Sequence, residues 1–201
     1  FRRGDVRLVR DDPANLLRYA AGDLSYPVFG YQRFKPMAGF TVARNFSLQP
    51  YRVFYPVSRN EIFLETPSKV SVWVNGRLIR TVELPAGPHR FDDLPLLTGV
   101  NHVRIDIVDA VGRTRSEEFP YAFDSQLLEE GVQQFAYSLG VPSEDLATGR
   151  RYDADNVTYA AFHRVGWRSD FTSGAYLQGS RFQEIGGLEG LVSTSWGSWS
   201  F

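Results

Sequence analysis

Val70-Ser71-Val72-Trp73-Val74-Asn75-Gly76-Arg77-Leu78-Ile79-Arg80-Thr81-Val82-Glu83-Leu84 decides the fold. Val70, Val72 and Val74 alternate with Ser71 and Trp73, the period-two pattern of a strand with one buried face. Asn75-Gly76 then supplies the dipeptide most favoured in a two-residue hairpin turn, because both positions tolerate positive φ. Leu78 to Leu84 is therefore the returning strand. Pro85, Gly87 and Pro88 break it, Phe91 to Leu94 forms a short acidic segment, and Gly99-Val100-Asn101 leads into Val103, Ile105 and Ile107. A turn at Asp109 to Gly112 sends the chain back through Thr114 to Phe119, with an end expected at Pro120. Short strands at this spacing predict a two-sheet sandwich over Glu61 to Tyr121. About 60 residues is little for a self-sufficient core, so the unit is expected to lean on its surroundings.

Beyond this unit the pattern changes character. Phe135, Tyr137, Leu139 and Val141 alternate with Ala136, Ser138 and Gly140, placing large apolar groups on one face and small ones on the other. A membrane β-strand has this look. Tyr159, Ala161, His163, Val165 and Trp167 share one side of a further run, and Phe171, Ser173, Ala175 and Leu177 share one side of the next. After Arg181 to Ile185, Leu188, Gly190, Val192, Thr194 and Trp196 alternate with Gly187, Glu189, Leu191 and Ser193. Each run has about the length a tilted strand needs to cross a bilayer. Glu189 is then expected on the lumen side, where water solvates it. Strands of a soluble sandwich are compatible with the same pattern.

Upstream, strand candidates lie at Val6 to Arg10, Leu16 to Leu24 and Met37 to Arg44, where Phe40 and Val42 alternate with Gly39, Thr41 and Ala43. Ser25-Tyr26-Pro27 and Lys35-Pro36 bracket a loop containing Phe29, Tyr31 and Phe34. Such a loop suits an interfacial aromatic girdle, or equally a soluble hydrophobic patch.

The chain has 201 residues, 14% aromatic, with 22 basic and 23 acidic side chains. This balance gives no reason to expect a nucleic-acid partner. All basic residues except Lys35 and Lys69 are arginines, and there is no cysteine, so neither a disulfide nor a thiolate metal site is expected. No apolar run approaches the roughly 18 residues of a spanning helix, so any membrane crossing is by strands. Arg2-Arg3-Gly4-Asp5 is not followed by an apolar stretch of the signal-peptide kind, and the chain reads as an internal fragment. Arg3-Gly4-Asp5 as an integrin tripeptide is a chance recurrence of common residues.

Val72-Trp73-Val74-Asn75-Gly76, Leu84-Pro85-Ala86-Gly87-Pro88, Phe91-Asp92-Asp93-Leu94, Val103-Arg104-Ile105-Asp106-Ile107, Asp109-Ala110-Val111-Gly112-Arg113 and Phe119-Pro120-Tyr121, taken in order, resemble the middle of a fimbrial outer-membrane usher of the chaperone-usher pathway. Ala21-Gly22-Asp23-Leu24 and Met37-Ala38-Gly39-Phe40 extend the likeness upstream, and Leu127-Leu128-Glu129-Glu130-Gly131 with its alternating strand extends it downstream. The resemblance implies an all-β chain in which an immunoglobulin-like sandwich plug is inserted between strands of a large antiparallel transmembrane β-barrel in the bacterial outer membrane. It implies barrel strands at 1–55, a plug at 56–122 and barrel strands at 123–201. It further implies chaperone-delivered pilus subunits as partners, no cofactor, a plug that gates the pore, and the possibility of a paired usher. Where ushers commonly place small residues before the plug, this chain has Tyr51-Arg52-Val53-Phe54-Tyr55-Pro56. The hinge is therefore expected there or nearer Ser58-Arg59-Asn60.

A plug that must leave is not expected to be joined to its wall by a large apolar interface. Wet charged contacts, each worth about 0 to 1 kcal/mol, suit the task better. Arg77, Arg80, Arg90, Arg104, Arg113 and Arg115 are the candidates on the plug, with Arg164 and Glu189 on the wall. Catalysis finds little support. His89, His102 and His163 lack metal-site spacing, the paired acids are strand neighbours that point to opposite faces, and Gly186-Gly187-Leu188-Glu189-Gly190 lacks the lysine of a phosphate loop. A secreted β-sandwich holding carbohydrate or protein on Trp73, Trp167, Trp196 and Trp199 is the rival reading, and a porin-like channel with an unrelated insert is the third.

Overall fold

A computed structural model of the chain describes residues 4–56, 61–91, 94–146, 149–194 and 196–201. Ser58-Arg59-Asn60, Asp92-Asp93 and the Arg2-Arg3 pair lie outside the described residues. Among those described, fifteen strands form three antiparallel sheets, β1 (Arg7–Asp12), β2 (Leu17–Leu24), β3 (Met37–Arg44), β4 (Glu61–Leu64), β5 (Ser68–Val74), β6 (Arg77–Leu84), β7 (Gly87–Arg90), β8 (Gly99–Asp109), β9 (Thr114–Phe123), β10 (Gln133–Leu146), β11 (Gly149–Tyr152), β12 (Thr158–Arg168), β13 (Phe171–Ser180), β14 (Glu184–Thr194) and β15 (Gly197–Ser200).

The predicted hairpin is β5–β6. Its turn residues Asn75 and Gly76 have φ of 51° and 77°, as the dipeptide requires. Asn75 also ties the turn to β8. Its backbone N–H donates to the His102 carbonyl (2.8 Å), its Oδ1 accepts from the His102 N–H (2.9 Å), and its Nδ2 donates to Asn101 Oδ1 (3.0 Å). The four-stranded sheet runs β6-β5-β8-β9, and β4-β7 makes the second layer. Between them Val70, Val72, Val74, Val103, Ile105 and Ile107 meet Ile62, Leu64 and Phe91 in one buried core. At about 1.5–3 kcal/mol for each large side chain, this cluster is the main term holding the layers together. The expected end at Pro120 is wrong by three residues: β9 continues through Pro120, opposite His102, to Phe123. Proline is accommodated because β9 is an edge strand, where a missing N–H breaks no ladder.

All remaining strands belong to one sheet, ordered β1-β2-β3-β10-β12-β13-β14-β15, with β11 folded back on the end of β10. β3 and β10 are neighbours although the sandwich lies between them in sequence, paired from Ala43↔Ala136 to Met37↔Pro142. Gly39 and Gly140 face each other there, and a Cβ on either would strike the other strand's backbone. The Thr41 and Ser138 hydroxyls close the same contact at 2.7 Å. The expected run from Leu188 to Trp196 is cut by a turn before β15, which leaves Trp196 exposed.

The sheet has two unlike faces. On the open face Phe40, Tyr137, Leu139, Trp167, Leu177, Leu188 and Trp199 are exposed. Ladder partners share a face, so Leu139 stands beside Phe40, Tyr137 beside Ala161, and Leu188 beside Ala175. The other face is covered. Ala43, Ala136, Phe162 and Tyr176 are buried there against Phe29, and Ala20, Leu24, Met37 and Ala160 against Tyr26.

These contacts bring the aromatic loop at 25–36 onto the covered face and not into a girdle on the open one: Phe29 and Tyr26 pack there, Phe34 lies 5.2 Å from the Tyr26 ring and Tyr31 lies 6.5 Å from that of Tyr176. Phe29 itself lies 5.5 Å from the Phe162 ring and 6.3 Å from that of Tyr176. The physical reason is that its one amide side chain, Gln32, and its backbone at Arg33 find partners on the sheet, which sequence spacing does not reveal.

Asn101 is the most heavily used polar group of the sandwich. Fully buried, it accepts from the Leu97 N–H (3.0 Å) and donates to the Leu97 carbonyl (2.7 Å), besides meeting Asn75. Asn101→Ala strands these buried partners, so a loss of about 2–4 kcal/mol is expected, read by thermal or denaturant unfolding of the protein in detergent. A loss below about 0.5 kcal/mol would show the network to be dispensable.

Candidate functional site

The site is the junction between the sheet and its insert. The chain leaves the sheet at Arg44 and makes a 3-10 turn at Phe46–Leu48, which Asn45 caps by accepting from the Ser47 N–H (3.1 Å). It then passes Phe54, whose ring stacks on that of Phe46 at 4.2 Å. On the return side the chain crosses the covered face before entering β10. Asp124 folds a turn there by accepting from the Gln126 N–H (2.9 Å), and Leu127 and Leu128 are buried. The two connecting segments touch. The Glu129 N–H donates to the Phe54 carbonyl (2.8 Å), and Tyr55 meets Phe123 edge-on at 5.4 Å.

Arg164 on β12 lies beneath the return segment. Its Nη2 donates to Glu189 Oε1 on β14 (2.8 Å) and to the Gln126 carbonyl (3.0 Å), and its Nη1 donates to Gln134 Oε1 on β10 (2.8 Å). Its guanidinium also covers the Phe29 ring at 4.7 Å. The side chains of Arg164 and Glu189 are only 6% and 16% exposed, so this is a buried pair. Such a pair adds little net stability over apolar packing, yet removal of one partner typically costs about 3–5 kcal/mol because the other charge is left stranded.

The loop at 25–36 is fastened on the same face by two glutamines. Gln32 accepts from the Phe29 N–H (2.9 Å) and donates to the carbonyls of Ala161 (2.8 Å) and Leu177 (2.9 Å). Gln178 accepts from the Arg33 N–H (2.8 Å) and donates to the Arg33 carbonyl (2.6 Å). Each glutamine amide thus engages both as donor and as acceptor, the arrangement that makes burying it tolerable.

The candidate residues named from sequence fall into two groups. Arg164 and Glu189 are brought together on the wall. On the insert, Arg80 covers the Phe91 ring at 5.1 Å, and Arg104 covers Trp73 at 4.7 Å with Asp106 at 3.4 Å. Arg113 pairs with Asp109 (2.6 Å) and Arg115 with Glu117 (2.7 Å), both on the insert. Arg77 is exposed at the start of β6, and Arg90 ends β7. Gln126, Gln134, Thr172, Gln32 and Gln178 were not singled out from sequence, since no local pattern marks a glutamine or threonine whose partner lies on another strand. Tyr137 Oη meets His163 Nδ1 at 2.6 Å on the open face, and His89 Nε2 meets the Pro85 carbonyl at 2.7 Å. The four tryptophans are spread over β5, β12, the turn before β15 and β15 itself.

An antiparallel sheet with one exposed apolar face, interrupted between paired neighbours by a small sandwich, is the arrangement of a strand-built wall carrying an inserted domain. No protein-family model matches the chain. Over 130 residues, 61% of this chain, it is 30% identical to the outer membrane usher protein FaeD of Escherichia coli. The chain spans 16% of that relative's length. The likeness to fimbrial outer-membrane ushers read from the motifs is borne out by this match. Among solved structures, the P pilus usher PapC translocation pore aligns over 98% of this chain and 39% of its own, at 16% identity and a TM-score of 0.45. An Escherichia coli P pilus tip assembly intermediate, PapC-PapD-PapK-PapG, aligns over 97% and 26%, at 13% identity and the same TM-score of 0.45.

The Asp109 turn makes Arg113 sensitive to acid. Burial alone raises the pKa of Asp109, but hydrogen bonds from the Arg113 side chain and from the Arg113 and Val111 N–H groups outweigh it and hold the carboxyl below its ordinary value. A depressed folded value means that the contribution is fully present above the unfolded carboxylate range, near pH 4, and fades as pH falls through the folded value. Protection of the Val111 and Arg113 amides, taken relative to their intrinsic exchange at each pH, is expected to fall below that pH in the native protein and to be low at every pH in Asp109→Ala. Equal acid response in both would remove Asp109 from the account.

Proposed function

We propose that this chain is the gating portion of an outer-membrane usher. Residues 1–55 and 123–201 supply barrel strands, and residues 56–122 form the immunoglobulin-like plug that closes the pore between rounds of secretion. The carrying observation is the ladder between β3 and β10. The insert leaves one strand and re-enters its hydrogen-bonded neighbour, so a whole domain occupies the place of a hairpin turn and its movement breaks no strand pairing.

The unlike faces support the same reading. Exposed Phe40, Leu139, Leu177 and Leu188, with Trp167 and Trp199 nearer the strand ends, suit hydrocarbon and its interfaces. Arg164, Glu189, Gln134 and Gln178 gather on the opposite face, where a lumen admits water. In this reading the protein sits in the bacterial outer membrane, receives pilus subunits from a periplasmic chaperone, and passes the growing fibre outward. Each subunit completes its neighbour by strand donation. The work is assembly and translocation, with no covalent step assigned to any side chain. The insert arginines Arg77, Arg80, Arg90, Arg104, Arg113 and Arg115 shape the charged surface of the plug, and Arg164 with Glu189 holds the wall beneath its connection, so that the set biases the closed state.

Replacing residues 61–122 by a short flexible linker in the full-length usher is expected to raise ion conductance in planar bilayers to a steady, roughly tenfold higher level. Outer-membrane abundance should stay normal, because the β3–β10 ladder is untouched. Conductance equal to that of the intact protein would overturn the plug assignment.

A further inference from the structure

The two segments that join the insert to the sheet are held unequally. The outgoing segment bonds mostly to the β1–β2 turn and to itself, through the Asn45 N–H to the Leu16 carbonyl (2.7 Å), Gln49 Nε2 to the Pro13 carbonyl (2.7 Å), and the Arg52 N–H to the Gln49 carbonyl (3.1 Å). Tyr51 within it is fully exposed.

The return segment is fastened along its whole length. The Leu128 N–H donates to Thr172 Oγ1 (2.9 Å), and Thr172 is itself wholly buried. Arg164 takes the Gln126 carbonyl, and the Gly131 N–H donates to the Gly166 carbonyl (2.9 Å). The crossing is close: a Cβ on Gly166 would lie 2.4 Å from the Leu128 carbonyl oxygen and 2.3 Å from that of Glu129. Only a residue without a side chain lets the backbone pass over β12 at this point.

We propose that residues 124–132 are the fixed pivot of the insert, staying on the sheet when the insert moves. Arg164, oriented by Glu189 and Gln134, is the positioning residue that keeps them there. The inference rests on the plug reading above and deepens it, because it states which part of the connection moves. Leu127 and Leu128 cannot lift off without exposing two buried leucines, uncovering Thr172 and stripping Arg164 of a partner. Phe54 is held to the pivot through the Glu129 N–H, so rotation falls after Phe54 on the outgoing side and before Asp124 on the return side. The contact broken first is then the edge-on meeting of Tyr55 and Phe123, which carries no hydrogen bond among the described residues.

A Leu128→Cys/Thr172→Cys pair in the full-length usher tests this. With the cross-link closed, pore opening and pilus assembly are expected to stay within about twofold of the same protein after reduction. A cross-link that abolishes opening would show that the segment must leave the sheet, and the pivot falls. Arg164→Gln is expected to raise the open fraction of the resting channel about tenfold at normal outer-membrane abundance, the effect of a loosened support. Arg164→Lys, which keeps the charge but not the forked geometry, should recover part of the closure. An unchanged open fraction in Arg164→Gln would remove Arg164 from the role. The form lacking residues 61–122 separates the failures. If it conducts steadily while the cross-link blocks opening, the plug stands and the pivot is wrong; if it conducts like the intact protein, both fall.

Discussion

The unbroken ladder between β3 and β10 is the constraint on which the rest of the structure depends. Two strands far apart in sequence pair as closely as a hairpin, with Gly39 against Gly140 and the Thr41 hydroxyl on that of Ser138. Backbone groups on both strands are thereby satisfied, as they must be in a membrane wall, where no water is available to bond an open edge. That requirement is met by the sheet alone, since the inserted sandwich contributes no strand to it. It brings its own core, built of Val70, Val72, Val103, Ile105 and their neighbours, and its own interior polar network around Asn101. A domain with its own core suits the movable part of the proposed gate.

In the proposed gate the connections are decisive. A buried charge pair is a poor source of stability but a good source of definition, since its partners cannot be exchanged without stranding a charge. Arg164 serves in this way, reaching Glu189, Gln134 and a carbonyl of the return segment from one guanidinium. The aromatic loop at 25–36 is treated alike by Gln32 and Gln178. The covered face thus carries two fastened pieces of irregular chain, each secured by donors and acceptors from the sheet, in keeping with the rule that non-helical backbone at membrane depth is tolerated where protein or water satisfies it.

The insert's charges show how burial changes the meaning of a residue. Arg113 and Arg115 are exposed ion-pair members, each worth little on its own. Arg80 and Arg104 lie over aromatic rings, where their apolar surface and positive charge are both used. In sequence all four read alike, as arginines spaced along strands.

Much of the fold was legible because its signals are local. Strand alternation, the Asn75-Gly76 turn and the breaks at Pro85, Gly87 and Pro88 each act within a few residues, and the bounds of β3 followed in the same way from the Lys35-Pro36 break and the alternation of Phe40 and Val42. The sidedness of β10, β12, β13 and β14 followed for the same reason, as side chains on a strand alternate whatever surrounds it. What tertiary structure alone decided was which strand meets which. That Gln32 reaches Ala161 and Leu177, that Arg164 finds both Gln126 and Glu189, and that Gly166 lies beneath a crossing backbone all depend on strand order and register. Those are set by the packing of the whole sheet, and no spacing along the chain encodes them.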